Sequence, residues 1–372
     1  MRVIFACAGT GGHINPAIAM AGIILKHEPQ SNILFIGTEN GLENKLVKNA
    51  GYDIKHIRTG KILREITLKN VTALINAYMG IFDSKKILKE FKPDLIIGTG
   101  GYICGPVMKA AKSLKIPYIL HESNAFPGVS VKLLAKDAKY VMLGFEDAKK
   151  RLNPKANTVY TGTPAKFDEE DIEKLDKQEC LKKAGLDNIN KKIILVTCGS
   201  QGAKKINEVV LNMIKKYPSD DVYYILVTGD KNYEEVCTIK EKIEEDEKIS
   251  LDKYIKIEKF IFNMDEMYKI SDLCITRAGA MTISELALAH KPSILIPLPT
   301  AAENHQFFNA KVLENVGAAK IIEQKDLTEE LLNSTVEKII KDNNRLIKMG
   351  ENAAEVIVKD VDEKIYNCIK QK

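Results

Sequence analysis

Val3-Ile4-Phe5-Ala6-Cys7-Ala8-Gly9-Thr10-Gly11-Gly12-His13 decides the fold, because the same grammar returns at Ile193-Ile194-Leu195-Val196-Thr197-Cys198-Gly199-Ser200-Gln201-Gly202-Ala203. Each stretch is a short apolar run, then a glycine-rich turn, then a helical pattern. A run so short and so continuously apolar fits a strand covered on both faces, as in a parallel sheet. The glycines let the chain turn sharply and let a ligand approach the backbone. The helix that follows presents its positive end to an anion. Taken alone, either turn reads equally well as tight packing of helix on strand. Neither completes G-x-G-x-x-G: Ile14 stands at the third glycine position of the first, with no acidic residue in the right place about 20 residues on. Neither is a Walker A loop, since no Gly-Lys-Ser/Thr follows.

Working outward, Val3–Cys7, Ile33–Ile36, Ile54–Ile57, Leu95–Ile97, Tyr118–Leu120 and Tyr140–Leu143 read as buried strands with helical stretches between them. The rhythm breaks at the turns Asn153-Pro154 and Thr161-Gly162-Thr163-Pro164, and a charged helix is expected from Asp168 to Lys183. It restarts at Ile193–Val196 and continues through Tyr224–Val227, Ile255–Ile257, Leu273–Thr276, Ile294–Ile296 and Ala318–Ile322. From about Leu327 the chain is helical. The chain is therefore α/β, with two Rossmann-like halves and a boundary near 161–167.

A chain of 372 residues exceeds what one compact core usually holds, which fits two domains. With 45% hydrophobic and 28% charged residues it is neither disordered, collagen-like nor a multi-span membrane protein. No apolar run approaches the roughly 18 residues of a spanning helix; the longest, Thr72 to Phe82, carries Asn76. The opening Met1-Arg2-Val3-Ile4-Phe5 runs straight into the glycine turn, so no signal peptide is expected. Seven scattered cysteines without a C-x-x-C pair fit a reducing compartment rather than a disulfide framework or structural zinc. Residues 1–160 carry 23 basic and 12 acidic side chains, a net +11; the remainder carries 32 and 38, a net −6. The halves are different surfaces with different partners. Nucleic acid, an anionic membrane face or a phosphorylated substrate would each suit the basic half, as would a merely lysine-rich composition.

Six stretches then appear in fixed order: Gly9-Thr10-Gly11-Gly12-His13; Gly98-Thr99-Gly100-Gly101-Tyr102 through Gly105-Pro106; His121-Glu122-Ser123-Asn124; Gly199-Ser200-Gln201-Gly202-Ala203; Arg277-Ala278-Gly279-Ala280-Met281-Thr282-Ile283-Ser284-Glu285; and His305-Gln306 before Asn309-Ala310. As an ordered set over roughly residues 1–325, the chain resembles the MurG family, glycosyltransferases that add N-acetylglucosamine to lipid I in peptidoglycan synthesis. The resemblance implies a GT-B fold, two Rossmann-like doubly wound domains facing an interdomain cleft. It implies an acceptor-binding, membrane-associating domain at 1–162, a UDP-GlcNAc-binding domain at 163–345, and a C-terminal helix at 346–372 crossing back to the first domain. The implied reaction is inverting transfer of N-acetylglucosamine from UDP-GlcNAc to undecaprenyl-pyrophosphoryl-MurNAc-peptide, giving lipid II. The implied location is peripheral, on the cytoplasmic face of the plasma membrane. No nucleic-acid partner and no cofactor are expected. Another GT-B enzyme, such as a UDP-GlcNAc epimerase, or a non-catalytic nucleotide-sugar-binding module would share the donor motifs; Gly9–His13 and His121–Asn124 separate them from the transferase.

On the donor side the resemblance implies that Ala280, Met281 and Thr282, opening a helix after Gly279, hold the diphosphate with their N–H groups and helix dipole. Glu285 would accept from the ribose hydroxyls, or serve only as an acid near the helix start. Ser200 would donate to a phosphate, and backbone groups near Ile261 would pair with uracil, where a plain strand end with an N-cap at Asn263 is the alternative. His305-Gln306 stands where the family usually carries Gln-Gln for the sugar. Gln306 is the sugar contact, while His305 either joins it or orients its neighbour. Lys166 replaces an arginine of some members and loses the bidentate fork, so a donor contact and a solvated lysine are both open. Arg277 is either part of this site or only a charged helix-start residue. Thr10, Gly11, Gly12 and Asn124 are implied to reach the donor from the first domain.

On the acceptor side, Gly9, Gly11, Gly12, Gly100 and Gly101 offer backbone N–H groups to the lipid's pyrophosphate. Tyr102 would position the acceptor. His13 is the first choice for the general base, its ordinary pKa suiting neutral pH. Glu122 is the rival base, or the residue that orients Asn124. No D-x-D lies near a donor motif, Asp360-Val361-Asp362 being in the terminal helical region, so no metal is expected to ligate the diphosphate. Finally, Thr67 to Phe91 reads as one helix. Leu68, Val71, Ile75, Tyr78, Met79 and Phe82 form a stripe that Leu74, Ala77 and Ile81 widen to an arc of about 200°, against roughly 100° for a single core face. Lys61, Arg64, Lys69, Lys85, Lys86 and Lys89 flank it. Part of this arc either dips into an anionic cytoplasmic leaflet or packs on another helix.

Overall fold

A computed structural model of the chain describes residues 1–60, 68–199 and 201–371, with side chains of 68–70 left out. It resolves into two compact units, Met1–Lys166 with Val358–Lys372, and Phe167–Ile357.

In the first unit the apolar runs become β1 (Arg2–Cys7), β2 (Asn32–Gly37), β3 (Asp53–His56), β4 (Leu95–Gly100), β5 (Tyr118–Glu122), β6 (Tyr140–Leu143) and β7 (Thr158–Tyr160). Between them lie α1 (Gly11–His27), α2 (Glu43–Asn49), α3 (Leu68–Phe91), α4 (Cys104–Ser113) and α5 (Val129–Leu134). All strand pairs are parallel, in the order β3-β2-β1-β4-β5-β6-β7. Phe5 sits opposite Phe35 on β2 and Ile97 on β4, and the two phenyl rings stack at 5.2 Å. One apolar layer covers each sheet face, as continuously apolar strands require. The chain leaves β1 toward β2 on one side and returns at β4 on the other, so the strand order reverses between β1 and β4. In such sheets the crevice at the carboxyl ends of those strands takes the ligand. Both strands end there in glycine loops, and their register slips at Ala6/Cys7.

The second unit repeats the plan. Its strands are β8 (Lys192–Thr197), β9 (Val222–Val227), β10 (Ile255–Glu258), β11 (Leu273–Thr276), β12 (Ser293–Leu295) and β13 (Ala319–Ile321), parallel in the order β10-β9-β8-β11-β12-β13. The helices are α6 (Glu169–Lys174), α7 (Lys177–Lys183), α8 (Lys204–Lys216), α9 (Tyr233–Glu247), α10 (Met264–Ile270), α11 (Ala280–Leu288), α12 (His305–Asn315), α13 (Glu329–Ile340) and α14 (Asn343–Ala354). The order reverses between β8 and β11, whose following loops are Cys198–Ala203 and Arg277–Gly279. The last helix, α15 (Val361–Lys370), belongs to the first unit.

Three local expectations need correction. The charged helix expected from Asp168 to Lys183 is two helices, because Leu175 is extended and Asp176 caps a new start by accepting from Glu179 N–H at 2.7 Å. Strand β7 went unread: it is a three-residue, partly exposed edge strand lying between two turn signals. The last segment is also not one helix. A cut at 345/346 passes through α14, whose Leu346 and Met349 lie in the second core, whereas Ile365, Cys368 and Ile369 of α15 lie in the first. Each fully buried side chain of that size contributes roughly 1.5–3 kcal/mol, which is what ties α15 to α1. Thr67 falls outside the described residues.

Candidate functional site

In the first unit the loops after β1 and β4 press on each other. Gly101 has φ +84°, and a Cβ there would overlap the Ala8 carbonyl oxygen. A Cβ on Gly100 would stand 2.7 Å from Cδ2 and 2.9 Å from Nε2 of His13. The imidazole therefore lies directly over Gly100. Its main chain is held from β4, where the Thr99 hydroxyl donates to the His13 carbonyl at 2.7 Å. His13 Nδ1 lies 3.2 Å from the Ala8 carbonyl oxygen. A carbonyl only accepts, so Nδ1 carries the proton and Nε2 the lone pair. Thr10 is the N-cap of α1 and makes no side-chain cap, so the N–H groups of Gly11 and Gly12 open the helix. Tyr102 packs alongside, its Cε1 3.9 Å from where a Gly9 Cβ would be. The structure thus brings together Gly9–His13, Gly100, Gly101 and Tyr102.

Glu122 ends β5 and is buried. Its Oε1 accepts from Asn124 N–H at 2.9 Å and Asn124 Nδ2 at 3.0 Å; its Oε2 accepts from Gly128 N–H at 2.8 Å. Burial raises its pKa against the lowering effect of these bonds. Both oxygens are committed to the loop 123–128, so in this structure Glu122 orients Asn124. The neighbouring His121 is fully buried between the Gly162 carbonyl and Ser123 Oγ, and desolvation lowers its pKa to about 4. It is neutral at neutral pH.

In the second unit, Gly279 precedes α11 without a side-chain cap and no acid occupies the first turn, so the N–H groups of Ala280, Met281 and Thr282 open toward an anion. Glu285 is half-buried one turn on, and its Oε2 accepts from the Tyr268 hydroxyl at 3.1 Å. Arg277 turns inward. Its guanidinium donates to the Ile296 and Pro297 carbonyls at 3.0 and 3.1 Å and to Gln324 Oε1 at 2.6 Å, bracing the loop that leads to α12. On α12, His305 Nδ1 is 2.7 Å from the Ala302 carbonyl, leaving Nε2 as the acceptor, and burial lowers its pKa. Gln306 Oε1 accepts from Leu298 N–H at 2.9 Å, which leaves its amide N–H groups as the outward donors. Asn309 ties the same helix to the Ala278 carbonyl at 3.1 Å. Ile261 lines a cavity of about 350 Å³ with Leu186, Ile225, Lys256, Phe262 and Met267. Asn263 is the residue before α10 but makes no side-chain cap, its amide going to Glu266 at 3.3 Å. Lys166 is exposed at the end of the first unit. Ser200 lies outside the described residues. Among the described residues no three His, Cys, Asp or Glu side chains converge as metal ligands.

Sequence reasoning missed Thr99, Gly128, Tyr268 and Gln324, each of which holds a predicted residue. Thr99 stood within the Gly98–Tyr102 stretch without a role assigned to it, and Tyr268 showed as an aromatic in a short charged helix.

On α3 the core-facing side is small or terminal: Ala73, Gly80, Ser84, Ile87 and Leu88 are buried. Val71, Leu74, Ile75, Tyr78 and Phe82 are 50–61% exposed, and Met79 is half-buried. Val129 and Leu133 on α5 are exposed as well, at 56% and 77%. Leu68, like Lys61, Arg64 and Lys69, lies outside the described side chains. No helix among the described residues is long and apolar enough to cross a membrane.

Comparison with known proteins places this geometry. Residues 3–143 match the glycosyltransferase family 28 N-terminal domain and residues 193–365 its C-terminal domain. A relative from Thermoanaerobacter sp. (strain X514) is 40% identical over 370 residues, covering 100% of this chain and 99% of its own. It is named UDP-N-acetylglucosamine–N-acetylmuramyl-(pentapeptide) pyrophosphoryl-undecaprenol N-acetylglucosamine transferase. The protein of the same name from Acetivibrio thermocellus is 39% identical over 371 residues, covering 100% and 98%. The crystal structure of Acinetobacter baumannii MurG matches with a TM-score of 0.79 at 28% identity, covering 100% of this chain and 99% of that one.

Proposed function

We infer the reaction from one premise: this chain belongs to glycosyltransferase family 28. It is a UDP-GlcNAc-dependent N-acetylglucosaminyltransferase of the GT-B fold that converts lipid I to lipid II in peptidoglycan synthesis. The observation that carries this is 40% identity over both halves of the chain. An epimerase can share the two-unit fold, so the sequence identity along the whole chain, not the fold, separates the two readings. The test is UDP release from UDP-GlcNAc with an undecaprenyl-pyrophosphoryl-MurNAc-peptide present. Release that requires this acceptor and yields the disaccharide lipid supports the assignment; a 2-epimerised donor formed without acceptor overturns it.

The donor's diphosphate sits at the start of α11, with Ser200 donating from the other loop, and Glu285 holds the ribose. Main-chain groups at Ile261 meet the uracil beside the cavity described above. His305 as acceptor and Gln306 as donor face the sugar hydroxyls. What supports Glu285 in this role is Tyr268, which orients the carboxylate. Glu285→Gln is expected to raise the KM for UDP-GlcNAc about tenfold, the loss of a charged hydrogen-bond acceptor. Steady-state kinetics with varied donor measures this, and an unchanged KM removes the ribose contact.

The acceptor's pyrophosphate lies against Gly11, Gly12, Gly100 and Gly101, with Tyr102 beside it; the Gly9 N–H, expected to join them, is instead given to Glu43 Oε2 at 3.3 Å. In a single displacement the acceptor oxygen attacks the anomeric carbon, the bond to UDP breaks and its electron pair leaves on the phosphate oxygen. The acceptor proton passes to His13 Nε2. One inversion suffices, and no carboxylate adduct forms. Helix amides, rather than a metal, stabilise the leaving diphosphate. Turnover in excess EDTA is therefore expected to equal that of the untreated enzyme, and a loss restored only by a divalent cation overturns this. The exposed face of α3 docks on an anionic membrane surface, the cytoplasmic leaflet that carries the acceptor.

A further inference from the structure

Glu43 opens α2 and is fully buried. A buried carboxylate needs hydrogen-bond donors on its oxygens. Its Oε1 accepts from the Thr38 main-chain N–H at 2.9 Å and the Thr38 hydroxyl at 2.7 Å. Its Oε2 accepts from Gly9 N–H at 3.3 Å. The group is wedged between the loop after β2 and the glycine loop after β1. Two glycines make room for it: a Cβ on Gly37 would stand 2.7 Å from Glu43 Cγ, and one on Gly41 would overlap the carboxylate itself. Asn44 then closes the β2–α2 loop, donating to the carbonyls of Thr38, Glu39 and Gly41 at 2.7, 2.8 and 3.1 Å. No step of the transfer uses this carboxylate, and a buried charge is costly to keep.

Its effect falls on Gly9. The bond from Gly9 N–H holds that residue at φ +102°, the left-handed conformation from which the chain enters Thr10 and the uncapped start of α1. With the Gly9 amide assigned to Glu43, the amides at the helix start, those of Gly11 and Gly12, are left for an anionic ligand. We propose that Glu43 is a positioning residue for the acceptor: it sets the conformation of the Gly9–Gly12 loop, and so which amides meet the pyrophosphate, without touching the lipid. This role rests on the pyrophosphate binding at that loop. Two physical effects oppose each other. Positioning favours acceptor binding, whereas the carboxylate's charge repels a nearby pyrophosphate. The sign of the change on removing the charge shows which dominates.

The experiment is steady-state kinetics of the full chain with UDP-GlcNAc and an undecaprenyl-pyrophosphoryl-MurNAc-peptide, for wild type, Glu43→Gln and Thr38→Val. Glu43→Gln turns one accepting oxygen into a donor facing another donor. It is expected to raise the acceptor KM about tenfold with the donor KM within about twofold. Thr38→Val removes only the hydroxyl bond and should move the acceptor KM the same way, by about threefold. A purely structural role would lower kcat in proportion to the folded fraction and move neither KM. An unchanged or lowered acceptor KM in folded Glu43→Gln overturns the proposal. If that variant does not fold, an unchanged acceptor KM in Thr38→Val does so. Wild-type enzyme that turns over with an acceptor KM indifferent to the pyrophosphate, measured with a phosphate-free muramyl-peptide, would instead sink the assignment of the loop, and this role with it.

Discussion

Replacing His13 with alanine is expected to lower kcat by about 10²–10⁴-fold, the usual contribution of a positioned base, with the KM for UDP-GlcNAc within about twofold. The expectation comes from the tautomer. The Ala8 carbonyl 3.2 Å from Nδ1 places the proton on that nitrogen, so the lone pair is on Nε2, the atom over Gly100. The competing carboxylate, Glu122, has three amide donors on its two oxygens and is buried. Using it as a base would break the loop that presents Asn124. UDP release at saturating lipid acceptor measures the effect. Turnover equal to wild type in the folded variant would remove His13 as base and leave both the fold and the donor assignments standing.

All strands but β7 were legible because each is a short apolar run closed by glycine, proline or a polar turn, and both glycine loops were legible as breaks in that run. What the sequence concealed was long-range. Glu43 meets Gly9 across 34 residues, Tyr268 meets Glu285 across 17, and Arg277 meets Gln324 across 47. No local pattern encodes such pairs. Arg277 in particular reads as a surface charge at a helix start, yet its guanidinium satisfies two loop carbonyls in the interior. Leu175 was hidden for a different reason: Asp168 and Asp176 each start a helix, and a continuous charged pattern masks the second start. The α3 helix shows the limit of periodicity itself. The large apolar residues define an arc of about 200°, wider than one core face, and periodicity alone does not say which part of it packs inward. The side that packs inward is the small one, because α3 approaches its neighbours closely: a Cβ on Gly80 would overlap the Arg58 carbonyl and stand 3.3 Å from Pro106 Cβ. Ala73, Gly80 and Ser84 bury the earlier part of the helix while Val71, Leu74, Ile75, Tyr78 and Phe82 are left outside, and only near its end do Ile87 and Leu88 join the core.

That exposed arc carries the last expected result. Ile75→Glu combined with Phe82→Glu should weaken binding to vesicles containing anionic phospholipid by about 100-fold. Two side chains of this size, once withdrawn from the interface, forfeit about 3 kcal/mol even when only partly inserted. Ile75 is 58% exposed and Phe82 50%, so the substitutions sit where water already reaches and the core side of α3 is untouched. Tyr78 packs edge-on to Phe82 at 5.3 Å and loses that contact in the variant. The basic side chains at Lys85, Lys86 and Lys89 should add an electrostatic part that added salt screens, whereas the apolar part persists. Vesicle sedimentation across a salt series separates the two. An apolar surface of this width on one helix exceeds what scattered exposed residues would give. The proposed acceptor site gives the reason: the acceptor's hydroxyl is tethered to a membrane lipid, so a first unit that takes its pyrophosphate at the glycine loops would meet it at the bilayer surface. If the double substitution leaves vesicle binding unchanged, α3 is not the contact, and the basic excess of the first unit must be acting without it.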